Sequence, residues 1–308
     1  MRKKQVWAIL LVCMLLTFSL TACNNGGKAD VTKLDPNVLY KEFVQKYKAA
    51  NSGVTEISFV LDASATVESN KTQRVFVDLN VLDHAINEPI HKEKANIKMT
   101  SDTNGQKQSL DMQMYVIEEN GQLKAYYDTA TSSAANKEMM EYFAIQNGQT
   151  LGSIKELEDQ ANKVFDYLTN PRIIGAEAVN GKETIHMQAQ VDVSRITNEA
   201  LASSKESMTA EQLASVRLMV RMLGDVQLDI WMDAATHDPV KVELDLGDQL
   251  NSLMEILMPI IQSQTEDTGA NMNVSRIALK LTITDFNTVQ DFHVPVGLKA
   301  TKGTKAQS

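Results

Sequence analysis

Residues 54–67 read Val-Thr-Glu-Ile-Ser-Phe-Val-Leu-Asp-Ala-Ser-Ala-Thr-Val. Ile57, Phe59, Leu61, Ala63, Ala65 and Val67 fall on every second position, with mostly polar neighbours between them. Successive side chains of an extended chain point to opposite faces, so this period predicts one long, half-buried strand. The pattern repeats outward. Val75, Val77, Leu79 and Val81 follow a Ser69-Asn70-Lys71 turn, and Ala95, Ile97 and Met99 carry a third run. Leu110, Met112, Met114 and Val116 form a fourth, and Leu123, Ala125 and Tyr127 a fifth. Asn104-Gly105 and Asn120-Gly121 separate the last three, and Asn-Gly between alternating runs is a strong hairpin signal. This half predicts an antiparallel meander of about five strands. Ahead of it, Asp35-Pro36 offers an N-cap and a proline at the first helical position. Leu39, Phe43 and Tyr47 then recur at helical spacing until Asn51-Ser52-Gly53.

Beyond residue 127 the period changes. Met139, Met140 and Phe143 suggest a helix over 136–147, and Ser153 with Glu156 makes a capping box for a second. The stripe of that second helix runs through Leu157, Ala161, Val164, Phe165 and Leu168 to Asn170-Pro171. Strands resume over 173–179 and, after Asn180-Gly181, over Ile185 to Val193. Thr209 and Gln212 cap a helix that Gly224 closes. A hairpin follows, Val226 to Met232 against Val240 to Leu246, and then an unusually apolar helix over 248–262, interrupted by Pro259. A last strand pair runs from Ile277 to Ile283 and on to Val294. No Pro/Ser-rich linker divides residues 36–298, which read as one domain, with 299–308 as a disordered tail.

The N-terminus carries Arg2, Lys3 and Lys4, a nearly uncharged run from Val6, and then Leu20-Thr21-Ala22-Cys23. This resembles a bacterial lipoprotein signal at all four positions of its cleavage box. The resemblance implies removal of residues 1–22 and lipid attachment at Cys23; the alternative is an ordinary secretory signal that leaves Cys23 free. Residues 23–35 read as the lipidated cysteine and a flexible tether spanning roughly 20 Å. Loss of 1–22 leaves 27 of the 30 basic residues and all 39 acidic ones, a net charge of −12. Such a surface argues against nucleic acid and against electrostatic adhesion to anionic lipid. Cys13 leaves with the signal, so no disulfide forms within the mature chain, and core burial must stabilise it.

Ile230-Trp231-Met232-Asp233, followed by Pro239-Val240-Lys241-Val242-Glu243, resembles a recurring hairpin of the LolA/LppX-like carriers. Glu88-Pro89-Ile90 resembles their early turn. Asp285-Phe286-Asn287 with Val294-Pro295 is similar to the close of a group of uncharacterised Gram-positive lipoproteins. The resemblance implies an α+β fold: a strongly curved antiparallel sheet of about eleven strands, a half-barrel covered by helices, holding acyl chains. A tether at Cys23 departs from freely shuttling LolA and resembles the lipid-anchored LppX and LprG. It places the domain on the extracytoplasmic face of a cell membrane.

Enzymatic signatures are absent: no Gly-x-Ser-x-Gly elbow, no Ser-x-x-Lys and no phosphate-cradling glycine loop. No cofactor is expected. His84, His91, His186, His237 and His293 lie far apart, so no metal site is expected either. Asp225, Asp229, Asp233 and Asp238 look like a cluster, but Asp225, Asp229 and Asp233 read as the solvated face of a strand, a phase that Trp231 shares. Met208, Met219, Met222, Met254 and Met258 in or beside the late helices, with Met112, Met114 and Met187 on strand core faces, raise two readings, a plain core or an adaptable apolar cavity. The helix over 248–262 has more apolar positions than one packed face requires. Leu253, Met254, Leu257, Met258 and Ile261, with Met112, Met114 and Met187, are therefore the candidate ligand-binding residues. Two functions remain open: binding or carrying lipid or another apolar ligand, or a protein-interaction or envelope-stress sensor module without one.

Overall fold

In the computed structural model of the chain, residues 31–67, 71–119, 122–127, 163, 165–203, 210–224, 226–264 and 271–300 are described. Cys23, the signal segment and the helices expected over 136–147 and from 153 lie outside them, apart from helical Lys163, Phe165 and Asp166. Asp35–Ser308 forms one compact unit. Helix α1 (Pro36–Lys48) starts as its sequence predicts, with the Asp35 carboxylate accepting from the Asn37 amide at 2.8 Å. Five strands follow: β1 (Ser52–Val67), β2 (Lys71–Ile86), β3 (Lys92–Thr103), β4 (Gln106–Glu119) and β5 (Gln122–Tyr127). Asn104 and Gly105 both have positive φ, 55° and 85°, which the tight β3–β4 turn needs.

Next come β6 (Leu168–Val179), β7 (Lys182–Val191), α2 (Val193–Ser203) and α3 (Ala210–Leu223). The hairpin of β8 (Val226–Asp233) and β9 (Pro239–Asp245), helix α4 (Gly247–Gln264), β10 (Asn271–Thr284) and a two-residue β11 (Lys299–Ala300) complete the chain. Three expectations are corrected here. Leu168 is not the last residue of a helical stripe but the first of β6, and Pro171 lies inside that strand. Proline lacks the ladder donor, yet β6 is the last strand of the sheet and its register shifts between Thr169 and Arg172. Val193 does not extend β7; it opens α2, where Asp192 acts as N-cap and accepts from the Arg195 amide at 2.9 Å. Val294 likewise lies outside any strand, whereas Lys299 and Ala300 pair with Tyr127 and Tyr126.

All pairs are antiparallel, in the order β11-β5-β4-β3-β2-β1-β10-β9-β8-β7-β6. Two meanders thus meet where β1 pairs with β10. Among the described residues there are ten full strands and the short eleventh, close to the expected number. The strong curvature of a half-barrel is not found: the sheet is open, with β11 and β6 at its ends, and not strongly curled. The physical reason lies in the register. Bulges bend strands, and the pairings β1–β2, β2–β3 and β3–β4 run their full length without one. Among the described residues no helix is long and apolar enough to cross a membrane.

Candidate functional site

Cross-strand partners share a face, so the register traces rows across the sheet. One row runs Met112, Ile97, Val81, Ile57, Leu281, Val242, Ile230, Met187 and Ile173, through nine strands. Its neighbour runs Leu110, Met99, Leu79, Phe59, Leu279, Leu244, Leu228 and Ala189. Every member of both rows is apolar. The opposite face is polar, as in the row Arg172, Gln188, Asp229, Glu243, Lys280 and Ser58.

The two rows are unevenly covered. At the β7–β8 end Met187 and Ile230 are 0% exposed, with Ile185 and Met232 equally buried beside them. Helix α1 packs on β6 and β9 there, its Phe43 fully buried and its Tyr47 ring 4.9 Å from Phe165. Lys46 meets Asp238 at 2.7 Å and His237 meets Glu42 at 2.6 Å, fixing α1 to the β8–β9 turn. In the middle of the sheet Ile57, Phe59, Leu79, Val81, Ile97 and Met99 are only half buried, and Val75 is 40% exposed. At the β4 margin Leu110 and Met112 are buried, with Ile97, Met99 and Met114 packed on them.

Helix α4 docks on β10 by an unusual device. Strand β9 stops opposite Ala278, leaving the outer half of β10 without a partner on that side. The Asn251 side chain takes the place of a strand: its Oδ1 accepts from the Val274 amide and its Nδ2 donates to the Val274 carbonyl. Leu253 is buried at 7% exposure and Met254 is half buried, whereas Ile256 faces solvent. Leu257, Met258 and Ile261 belong to α4, but their side chains lie outside the described set. Met112 and Met187 share one row but stand seven strand spacings apart, roughly 34 Å along the sheet. The structure joins Met112 and Met114 in one cluster and places Met187, fully buried, toward the other end of the rows.

Sequence reasoning missed Asp83. It continues the phase of Val75, Val77, Leu79 and Val81, a carboxylate where the pattern calls for an apolar side chain. Burial, and then the charge of Glu93, push its carboxyl up to about 7, while His91 acts the other way. His91 Nε2 lies 2.9 Å from Glu93 Oε1. On the polar face Asp229 meets His186 at 2.8 Å, and Asp233 accepts from the Ala235 and Thr236 amides. For Asp233 burial works upward, but those backbone bonds outweigh it and hold the carboxyl low. Among the described residues two cavities open at the margins. One of about 510 Å³ is lined by Arg74, Phe76, Asp102 and Lys107, and one of about 290 Å³ by Asn170, Arg172 and Gln227. Neither includes an expected ligand-binding residue.

No protein-family model matches the chain, and no curated protein does. Among solved structures it is similar to the lipoprotein LppX of Mycobacterium tuberculosis, at 12% identity and a TM-score of 0.36, over 84% of this chain and 99% of that one. It is similar to LprF from Mycobacterium bovis at 13% identity and a TM-score of 0.40, over 85% and 97%. A domain from Vibrio parahaemolyticus described as that of an outer membrane lipoprotein-sorting protein matches at 8% identity and a TM-score of 0.18, over 87% and 95%.

Proposed function

We propose that this chain is a membrane-anchored extracytoplasmic lipoprotein that binds an apolar ligand, such as a lipid acyl chain, along the apolar face of its sheet. One observation carries the reading: two unbroken apolar rows in which Met187 and Ile230 toward one end and Leu110 and Met112 at the other are buried, while the members on β10, β1, β2 and β3 are only half buried. Apolar surface left in water in this way is what a chain of methylenes would cover, at about 0.8 kcal/mol per methylene removed from water. Helix α4, carrying Leu253, Met254, Leu257, Met258 and Ile261, is the proposed cover. The anchor is Cys23, and acyl chains there supply the membrane attachment that an acidic surface does not.

Organic extraction of the purified body, Asp35–Ser308, followed by mass spectrometry tests the ligand. The expected result is a stoichiometric apolar molecule that Leu257→Glu abolishes while circular dichroism stays unchanged. An empty wild type that also fails to take up an apolar probe would favour the alternative, an interaction or stress-sensor module. For the anchor, cells fed labelled fatty acid should label the wild type and not Cys23→Ala. Identical labelling of both sinks the lipidation reading.

A further inference from the structure

We propose that Asp83 holds the polar end of the ligand, and that this end is a hydrogen-bond donor, a hydroxyl or an amine, rather than a carboxylate or phosphate. The inference rests on the reading of the sheet face as the ligand site. Side chains in β2 alternate, so Asp83 shares the face of Val75, Val77, Leu79 and Val81. The register sets it between Thr55 of β1 and Ala95 of β3, with Met114 of β4 beyond Ala95. It stands one step past Val81, in a row where Asp83 and Thr55 lie between the apolar Ile283 on one side and Ala95 and Met114 on the other. From Asp83 to Val75 the face runs roughly 26 Å along β2, room for an extended acyl chain.

The Asp83 carboxyl is not in the state of a satisfied structural group. Its Oδ1 is shut off from solvent and has no hydrogen-bond partner among the described residues. Leaving a buried acceptor unmade costs about 1–3 kcal/mol, which a donor on a bound molecule would remove. The groups around it select the kind of donor. Glu93 of β3 and His91 of the β2–β3 connection act on it electrostatically, Thr55 is its partner on β1, and Val81 and Ala85 flank it on its own strand. Two carboxyls at one end of an apolar face repel an anionic headgroup and accept from a neutral hydroxyl or an amine.

The test uses the body Asp35–Ser308 with the apolar fluorophore N-phenyl-1-naphthylamine bound, displaced at pH 8 by 1-hexadecanol or by palmitate. Wild type should be displaced by hexadecanol at a concentration at least tenfold below that of palmitate. Asp83→Asn keeps an acceptor but loses the charge, so palmitate should improve and the gap should fall to about threefold or less. Asp83→Leu removes the acceptor as well, and hexadecanol should lose its advantage. Equal displacement of the wild type, or a gap that survives both substitutions, overturns the assignment. Should the fluorophore not bind the wild type at all, the ligand reading of the face fails. Binding without a gap sinks the headgroup assignment alone.

Discussion

Trp231 and His186 stack face to face, with ring centroids 4.3 Å apart and 11° between their planes. They sit directly opposite each other on β8 and β7, on the polar side of the sheet, yet Trp231 is buried. The Lys241 ammonium lies 3.9 Å from the Trp231 ring centroid, and the indole N–H donates to Glu177. The ring thus ties β6, β7, β8 and β9 together from outside, away from the apolar rows. Trp231→Ala should destabilise the fold by about 3–5 kcal/mol, as for other buried large-to-small changes. Trp231→Phe should lose about 1 kcal/mol, the worth of one hydrogen bond. Denaturant unfolding measures both, and apolar-probe binding by Trp231→Phe should match wild type.

The apolar rows should respond unequally to the same insult. Met187→Glu places a charge in a fully buried site and should prevent folding. Leu79→Glu, on the half-buried stretch, should fold with wild-type circular dichroism and lose probe binding by more than tenfold. If Leu79→Glu also unfolds, the rows are core throughout and carry no ligand.

Asp83 gives stability a pH dependence of known sign. Its carboxyl titrates near 7 in the fold against 3.8 for the free group. The folded chain therefore holds a proton that the unfolded chain has released. That contribution is full below about pH 4 and is lost as pH rises through 7, on the order of a few kcal/mol. Denaturation midpoints should fall over that window in wild type, relative to Asp83→Asn, which carries no such proton. Parallel curves for the two proteins would refute the assignment.

Asn251 should control how firmly α4 is held. Asn251→Leu leaves the Val274 N–H and C=O without their side-chain partner, at about 1–3 kcal/mol for each buried group. Hydrogen exchange should accelerate in α4 and in the outer half of β10, with β2 and β3 unchanged. Uniform acceleration would instead mean that α4 unfolds only with the whole body.

The alternating runs from Ile57 to Val116, the Asn-Gly turns at 104 and 180 and the Asp35-Pro36 helix start were legible in the sequence because each is a local matter. Side-chain period, positive φ and capping depend on residues a few positions apart. The spacing of Leu168 and Pro171 fits the end of a helix, and only the pairing of Leu168 with Val191 of β7 makes this stretch strand. The meeting of β1 with β10, more than 200 residues apart in the chain, has no local signal; nor does the Asn251 clasp on Val274. That the sheet does not curl strongly goes with the unbroken register among β1, β2, β3 and β4, which no single strand reveals. Asp83 shows the division most directly. Its phase on the apolar face could be read by counting from Val81, but its burial and the nearness of Glu93 and His91 arise only when three strands and a connection close around it.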